Sequence, residues 1–164
     1  MMFFGLDLRH SETWATLGVL IGGGMLFVTL VLEHVFALHP CYLCLSQRYC
    51  MFLAVLVVSL SLITEPRLGI FPIATIICCL GGIAFVFRQF YLQYVPGATD
   101  SCGADLNYLL QGEYPFMEVV EGFFKGSESC GEPSIIPILS FVGFGVLIFI
   151  ALRQLWLGPR SSYT

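Results

Sequence analysis

The chain has 164 residues, of which 57% are hydrophobic and 11% charged, whereas a water-soluble domain carries roughly 25% charged residues. A length that suits one domain leaves no second core to take up the apolar excess, so that excess faces lipid and the broad class is membrane protein. A net charge of −4 without any basic block excludes a footprint for phosphate backbones, and with it a nucleic-acid partner.

The first apolar segment covers roughly 14–32. Arg9 precedes it in the manner of a signal peptide, but the stretch is too long for an h-region and no small-x-small cleavage site follows, so a retained span is expected. Gly18 and Gly22 form a small-xxx-small pair that favours close helix packing. A loop over roughly 33–45 then carries Pro40, Cys41 and Cys44. The second span, roughly 46–63, has the least defined start, because Gln47 and Arg48 fall at the membrane boundary unless the first turn faces protein or headgroups. Thr64-Glu65-Pro66-Arg67 makes a tight turn into a third span over roughly 68–87. A long loop, roughly 88–134, carries Cys102 and Cys130 and leads to a fourth span over roughly 135–157.

Each span is near the roughly 20 residues a helix needs to cross hydrocarbon, and lipid admits helix and not open strand, because the backbone must satisfy itself. Gly81, Gly82, Gly143 and Gly145 place small residues where the third and fourth spans would meet others. The expected fold is an all-α four-transmembrane-helix bundle forming one integral membrane domain over 1–164. Within the long loop, Pro115 opens a stretch in which Phe116, Val119, Val120, Phe123 and Phe124 recur at helical spacing before Gly126. This pattern predicts a short amphipathic helix in the interface plane, or else a patch of loop packed on the spans.

With an even number of spans, both cysteine loops share one side. Arg9, Arg67, Arg153 and Arg160 mark the other, which the positive-inside rule makes cytoplasmic together with both termini. The cysteine loops are therefore expected to face out, away from the cytoplasm.

Cys41-Tyr42-Leu43-Cys44 is a C-x-x-C at a helix start, where the dipole of the first turn stabilises a thiolate, the reactive species. Arg48 lies one helical turn after Cys44 on the same face, and its permanent charge adds to that effect unless it simply snorkels to headgroups. So small a disulfide ring gains little chain entropy and favours easy reduction and re-formation. Cys102 and Cys130 would close a loop of about 28 residues, which suits a permanent staple as well as it suits a redox pair. Four cysteines also match the ligand number of a zinc site, but they lack paired-knuckle spacing, and no metal is expected. Cys50, Cys78 and Cys79 fall inside spans and are expected to be buried free thiols. His10, His34 and His39 show no ligand spacing. A membrane dithiol that is reoxidised repeatedly needs an acceptor resident in the bilayer, and a lipid-soluble quinone meets that need, with Arg48 placed to donate to a ring carbonyl oxygen.

Over nearly its whole length the chain resembles the DsbB family of bacterial inner-membrane disulfide-generating enzymes. The resemblance rests on Cys41-x-x-Cys44 with Arg48 one turn on, on Arg88-Gln89-Phe90-Tyr91-Leu92-Gln93 ahead of Pro96 and Cys102, and on Gly126-Ser127-Glu128-Ser129-Cys130. It implies that a reduced periplasmic DsbA-type dithiol oxidase attacks a Cys102–Cys130 disulfide, with Cys102 carrying the mixed disulfide. Cys130 then exchanges with Cys41, releasing Cys44 as a thiolate, and two electrons pass to ubiquinone or menaquinone. Gln89 stands where many members carry a histidine near the quinone, so either an amide replaces that contact or the contact is dispensable. After Cys130, Gly131-Glu132-Pro133-Ser134 is shorter than the segment members commonly have. An enzyme of the vitamin K epoxide reductase type also combines four spans, a C-x-x-C and a loop pair, but in the reverse order along the chain. A scaffold with two inert structural disulfides is the non-enzymatic alternative.

Overall fold

The computed structural model describes residues 2–3, 6–7, 11–36, 42–63, 69–95, 117 and 135–157. An antiparallel pair of two-residue strands, β1 (Met2–Phe3) and β2 (Leu6–Asp7), sets Met2 opposite Asp7 and Phe3 opposite Leu6. Four helices follow: α1 (Ser11–Phe36), α2 (Tyr42–Ile63), α3 (Ile70–Tyr94) and α4 (Ile136–Leu157). Each contains 21 to 25 residues long and apolar enough to cross a membrane.

Local chemistry sets the helix ends. Glu12 occupies the first turn of α1, where a negative charge complements the helix dipole. Gly69 precedes α3 at φ 63°, a left-handed conformation that a side chain resists, and its carbonyl accepts from the Ile73 N–H at 3.4 Å. α3 stops where Val95 turns extended, one residue before Pro96, as the restriction on residues preceding proline requires. Pro72 and Pro137 sit in the first turns of α3 and α4, where a missing N–H breaks no helical bond.

The helices close a ring in which α1 packs on α2, α2 on α3, α3 on α4 and α4 on α1, with only slight contact across the α2–α4 diagonal. The Gln154 side chain donates to the Ser11 carbonyl at 3.4 Å, joining the end of α4 to the start of α1. The start of α2 meets the end of α3 through Gln47 and Gln89. The bundle is thus up-down-up-down. Its centre is a cluster of Met51 and Ala54 from α2, Cys79 and Val86 from α3, and Phe144 and Leu147 from α4. α3 and α4 approach so closely that a Cβ at Gly82 would overlap the Phe144 ring. A smaller cluster of Leu43, Cys44 and Leu92, packed against Phe85 and Ile136, closes the end that carries Cys44.

Apolar side chains also cover the outside, with Leu20, Phe27, Ile77, Phe87 and Phe149 all more than half exposed. Such a surface suits hydrocarbon and not water. At one end the Arg153 guanidinium lies 5.3 Å from the Trp14 ring centroid, and at the other Arg88 lies 5.4 Å from that of Tyr91. These cation–π pairs place amphipathic side chains where each end of the bundle meets the membrane boundary.

The three largest departures from the boundaries read along the chain are these. α1 continues to Phe36, past the expected end at 32. α2 begins at Tyr42 and not near 46, so Cys44 lies inside its first turn. α3 continues to Tyr94, seven residues past the expected end at 87, so Arg88 and Gln89 belong to the helix and not to the long loop. In the last two cases the cause is the same: polar residues that look like a boundary face protein, since Gln47 and Gln89 are both 2% exposed. The interfacial helix expected over 115–126 lies outside the described residues except for Met117, as do Cys41, Cys102 and Cys130.

Candidate functional site

The first two turns of α2 place Cys44, Gln47, Arg48 and Met51 on one face, at the i, i+3, i+4, i+7 spacing of a helix. Cys44 lies in the first turn of α2, at the positive end of the helix dipole. It is 7% exposed and packs with Leu43 and Leu92.

A chain of two amides leads away from that sulfur. The Gln89 Nε2 group donates to Cys44 Sγ at 3.3 Å, and Gln47 Nε2 donates to Gln89 Oε1 at 2.7 Å. The first of these bonds requires the sulfur to accept, which a thiolate does most strongly. The sequence therefore builds a polar path across the α2–α3 interface inside an apolar bundle, and all three side chains are buried. Burial strengthens such bonds by excluding competing water.

Arg48 points the other way around α2. Its Nη2 donates to the Thr29 carbonyl of α1 at 3.4 Å. Beside it a crevice opens between α1, α2 and α4. Its polar lining is Thr29, Gln47, Arg48 and Ser140, and its apolar walls are Met25, Leu26, Met51, Leu139 and Phe144. A flat apolar ring with carbonyl oxygens matches this composition: thioether and aromatic walls for the ring, and a guanidinium for an oxygen.

Of the residues read from the sequence as a site, Cys44, Arg48 and Gln89 come together at one end of the bundle. Arg48 and Gln89 lie on opposite flanks of α2, with Gln89 on the sulfur and Arg48 on the crevice. Gln47 was treated only as a boundary residue. It links the two flanks, and the signal for it in the sequence is an amide one turn after Cys44. Cys79 is fully buried, Cys50 and Cys78 partly so, and all three are free thiols within the spans. No group of histidines, cysteines and carboxylates suited to a metal occurs among the described residues.

The fold and this site define a multi-pass membrane protein that holds a buried, hydrogen-bonded cysteine at one end of a four-helix bundle, with a crevice between helices on the other flank of the helix that carries it. Residues 11–158 match the family model described as Disulfide bond formation protein DsbB, and the chain belongs to that family. It is 31% identical over 162 residues to Disulfide bond formation protein B of Chromohalobacter salexigens, covering 92% of each chain. It is 34% identical over 131 residues to the protein of the same name from Polaromonas naphthalenivorans, covering 75% of this chain and 78% of that one. The protein of the same name from Neisseria meningitidis serogroup A is 31% identical over 141 residues, covering 82% and 86%. No solved structure matches the chain. The chain is therefore a disulfide bond formation protein, in general terms a disulfide oxidoreductase, and a multi-pass protein of the bacterial inner membrane.

Proposed function

We propose that the protein reoxidises a periplasmic DsbA-type dithiol oxidase and passes the electron pair to a membrane quinone, ubiquinone or menaquinone. The reduced partner's thiolate attacks the Cys102–Cys130 disulfide at Cys102, and its second thiol then resolves the mixed disulfide, leaving the partner oxidised. Cys130 attacks Cys41, and Cys44 departs as a thiolate. Cys102 then attacks Cys130 of the Cys130–Cys41 disulfide, which re-forms Cys102–Cys130 and frees Cys41. Cys41–Cys44 would re-form as the electron pair and two protons pass to a bound quinone. Each exchange breaks one S–S bond and forms another, so the electron pair moves inward to Cys44.

The observation that carries this reading is the Gln89 Nε2 donor at 3.3 Å from Cys44 Sγ, with the crevice on the other flank of the same helix. At Cys44 the amide and the helix start stabilise the leaving thiolate. Gln89 therefore holds the sulfur, while Arg48 would hold an oxygen of the ring. A bound quinone would supply a two-electron, two-proton sink that water-soluble oxidants do not offer inside a bilayer. Met25, Leu26, Met51 and Phe144 would wall the ring. Both termini and the turn after α2 face the cytoplasm in this arrangement, and the cysteine loops face the periplasm.

Purified protein given a reduced DsbA-type donor and a soluble ubiquinone analogue should reduce the quinone catalytically, and Cys44→Ser should abolish turnover. Unimpaired turnover in that variant would refute the proposed route.

A further inference from the structure

One polar atom in the site has no part in the hydrogen bonding described so far. Gln47 is 2% exposed, its Nε2 donates to Gln89 Oε1, and its Oε1 is buried with no hydrogen-bond partner among the described residues. Gln47 also lines the crevice beside Arg48. Buried carbonyl oxygens in native proteins nearly always find a donor, so an orphaned one beside a cavity marks the place of a donor the cavity receives.

The orientation of this amide follows from its neighbours. Gln89 presents its NH₂ to Cys44 and its oxygen to Gln47, so Gln47 must spend its own NH₂ on Gln89 and keep its oxygen for elsewhere. Arg48 on the same wall is a pure donor. Besides the Ser140 hydroxyl, which can donate or accept, the crevice therefore offers a ring a dedicated donor, at Arg48, and a dedicated acceptor, at Gln47. An oxidised quinone has only acceptor oxygens and makes no use of the second. A hydroquinone carries hydroxyls and uses it.

We propose that Gln47 Oε1 accepts a hydrogen bond from a hydroxyl of the reduced ring, making Gln47 the residue by which the crevice distinguishes hydroquinone from quinone. This rests on the quinone reading above and extends it to product recognition. Its consequence is that Gln47 governs the balance between the two redox forms on the protein, and not the holding of the ring as such.

The test is binding, independent of turnover. A short-chain ubiquinone analogue, oxidised or reduced under anaerobic conditions, is titrated by equilibrium dialysis against purified full-length protein, Gln47→Met and Gln47→Glu. Met matches the length of the side chain and removes the acceptor, whereas Glu retains one. In Gln47→Met the dissociation constant for the reduced ring should rise roughly tenfold, as expected for loss of one bond to a buried acceptor, while that for the oxidised ring changes less than about twofold. In Gln47→Glu the ratio of the two constants should stay within roughly threefold of that of the unaltered protein. Equal weakening of both forms in Gln47→Met would overturn the proposal, since it would mean that the side chain only shapes the crevice. An unchanged ratio would overturn it too, as would a Glu variant that loses the ratio as fully as Met. Failure of the unaltered protein to bind either form is a different result: it removes the quinone reading itself, and this proposal with it.

Discussion

The Gln89 side chain reaches from α3 to α2 and donates a hydrogen bond from Nε2 to the sulfur of Cys44 at 3.3 Å. A single amide thus ties the redox sulfur to the neighbouring helix and fixes the direction of the second amide, Gln47, behind it. Because an amide does not titrate, this donor is present at every pH at which the protein folds.

Replacing Gln89 with Leu removes that donor and strands the Gln47 NH₂ in the core. The expected result is a fall in kcat for quinone reduction of roughly 10- to 100-fold, the range for a hydrogen bond to a charged group, with little change in the KM for quinone. Steady-state kinetics with varied quinone measure the two separately. A rise in KM with kcat preserved would place Gln89 on the ring and not on the sulfur.

Arg48 faces the crevice and the Thr29 carbonyl. Arg48→Met should raise the KM for quinone by roughly tenfold or more, through loss of a charged donor to a ring oxygen. The rate of disulfide exchange with the dithiol donor, followed in the absence of quinone, should fall by less. The reverse ordering would assign Arg48 to the cysteines.

The close approach of α3 and α4 depends on Gly82, where any Cβ would overlap the Phe144 ring. Gly82→Val should destabilise the detergent-solubilised protein by about 1–3 kcal/mol, the usual cost of overpacking. Adding Phe144→Leu should recover part of that loss. Thermal unfolding monitored by circular dichroism reads both effects, and equal midpoints for the unaltered protein and Gly82→Val would contradict the packing.

Orientation is tested by placing one reporter at each end of the bundle, in a variant whose seven native cysteines have been replaced. Trp156 and Ile135 are both exposed on α4. In intact spheroplasts, a membrane-impermeant maleimide should label Ile135→Cys and should leave Trp156→Cys unlabelled until the membrane is permeabilised. The opposite pattern would invert the topology.

The four helices are legible because each is an apolar run of spanning length, and α4, which has a single polar residue, Ser140, ahead of Arg153, falls within a residue of its expected limits, at 136–157. The errors fell where a polar residue sits within a span. Arg88 and Gln89 read as the start of a loop, yet Arg88 lies over the Tyr91 ring and Gln89 is buried against α2, so the helix continues. Composition cannot separate a residue that leaves the membrane from one that turns into the bundle, because both are simply polar. The placing of Cys44 and Arg48 one turn apart is readable because it follows from spacing on one helix. That of Gln47 is not, since its role depends on Gln89, 42 residues away, and on a crevice formed by three helices. Cys50, Cys78 and Cys79 were read as plain buried thiols and lie inside the spans as free thiols.

The most direct test of the proposed site is to learn where an azido-quinone touches the protein. Proteoliposomes holding the protein and an azido-quinone are illuminated, and the labelled peptides are identified by mass spectrometry. Label on Met25 or Leu26 of α1, Met51 of α2 or Leu139 of α4, the walls of the crevice beside Arg48, is the predicted result. Label confined to outward-facing residues such as Phe27, Ile77 or Phe149 would mean that the ring never enters the bundle, and that Cys44 does not meet its oxidant there.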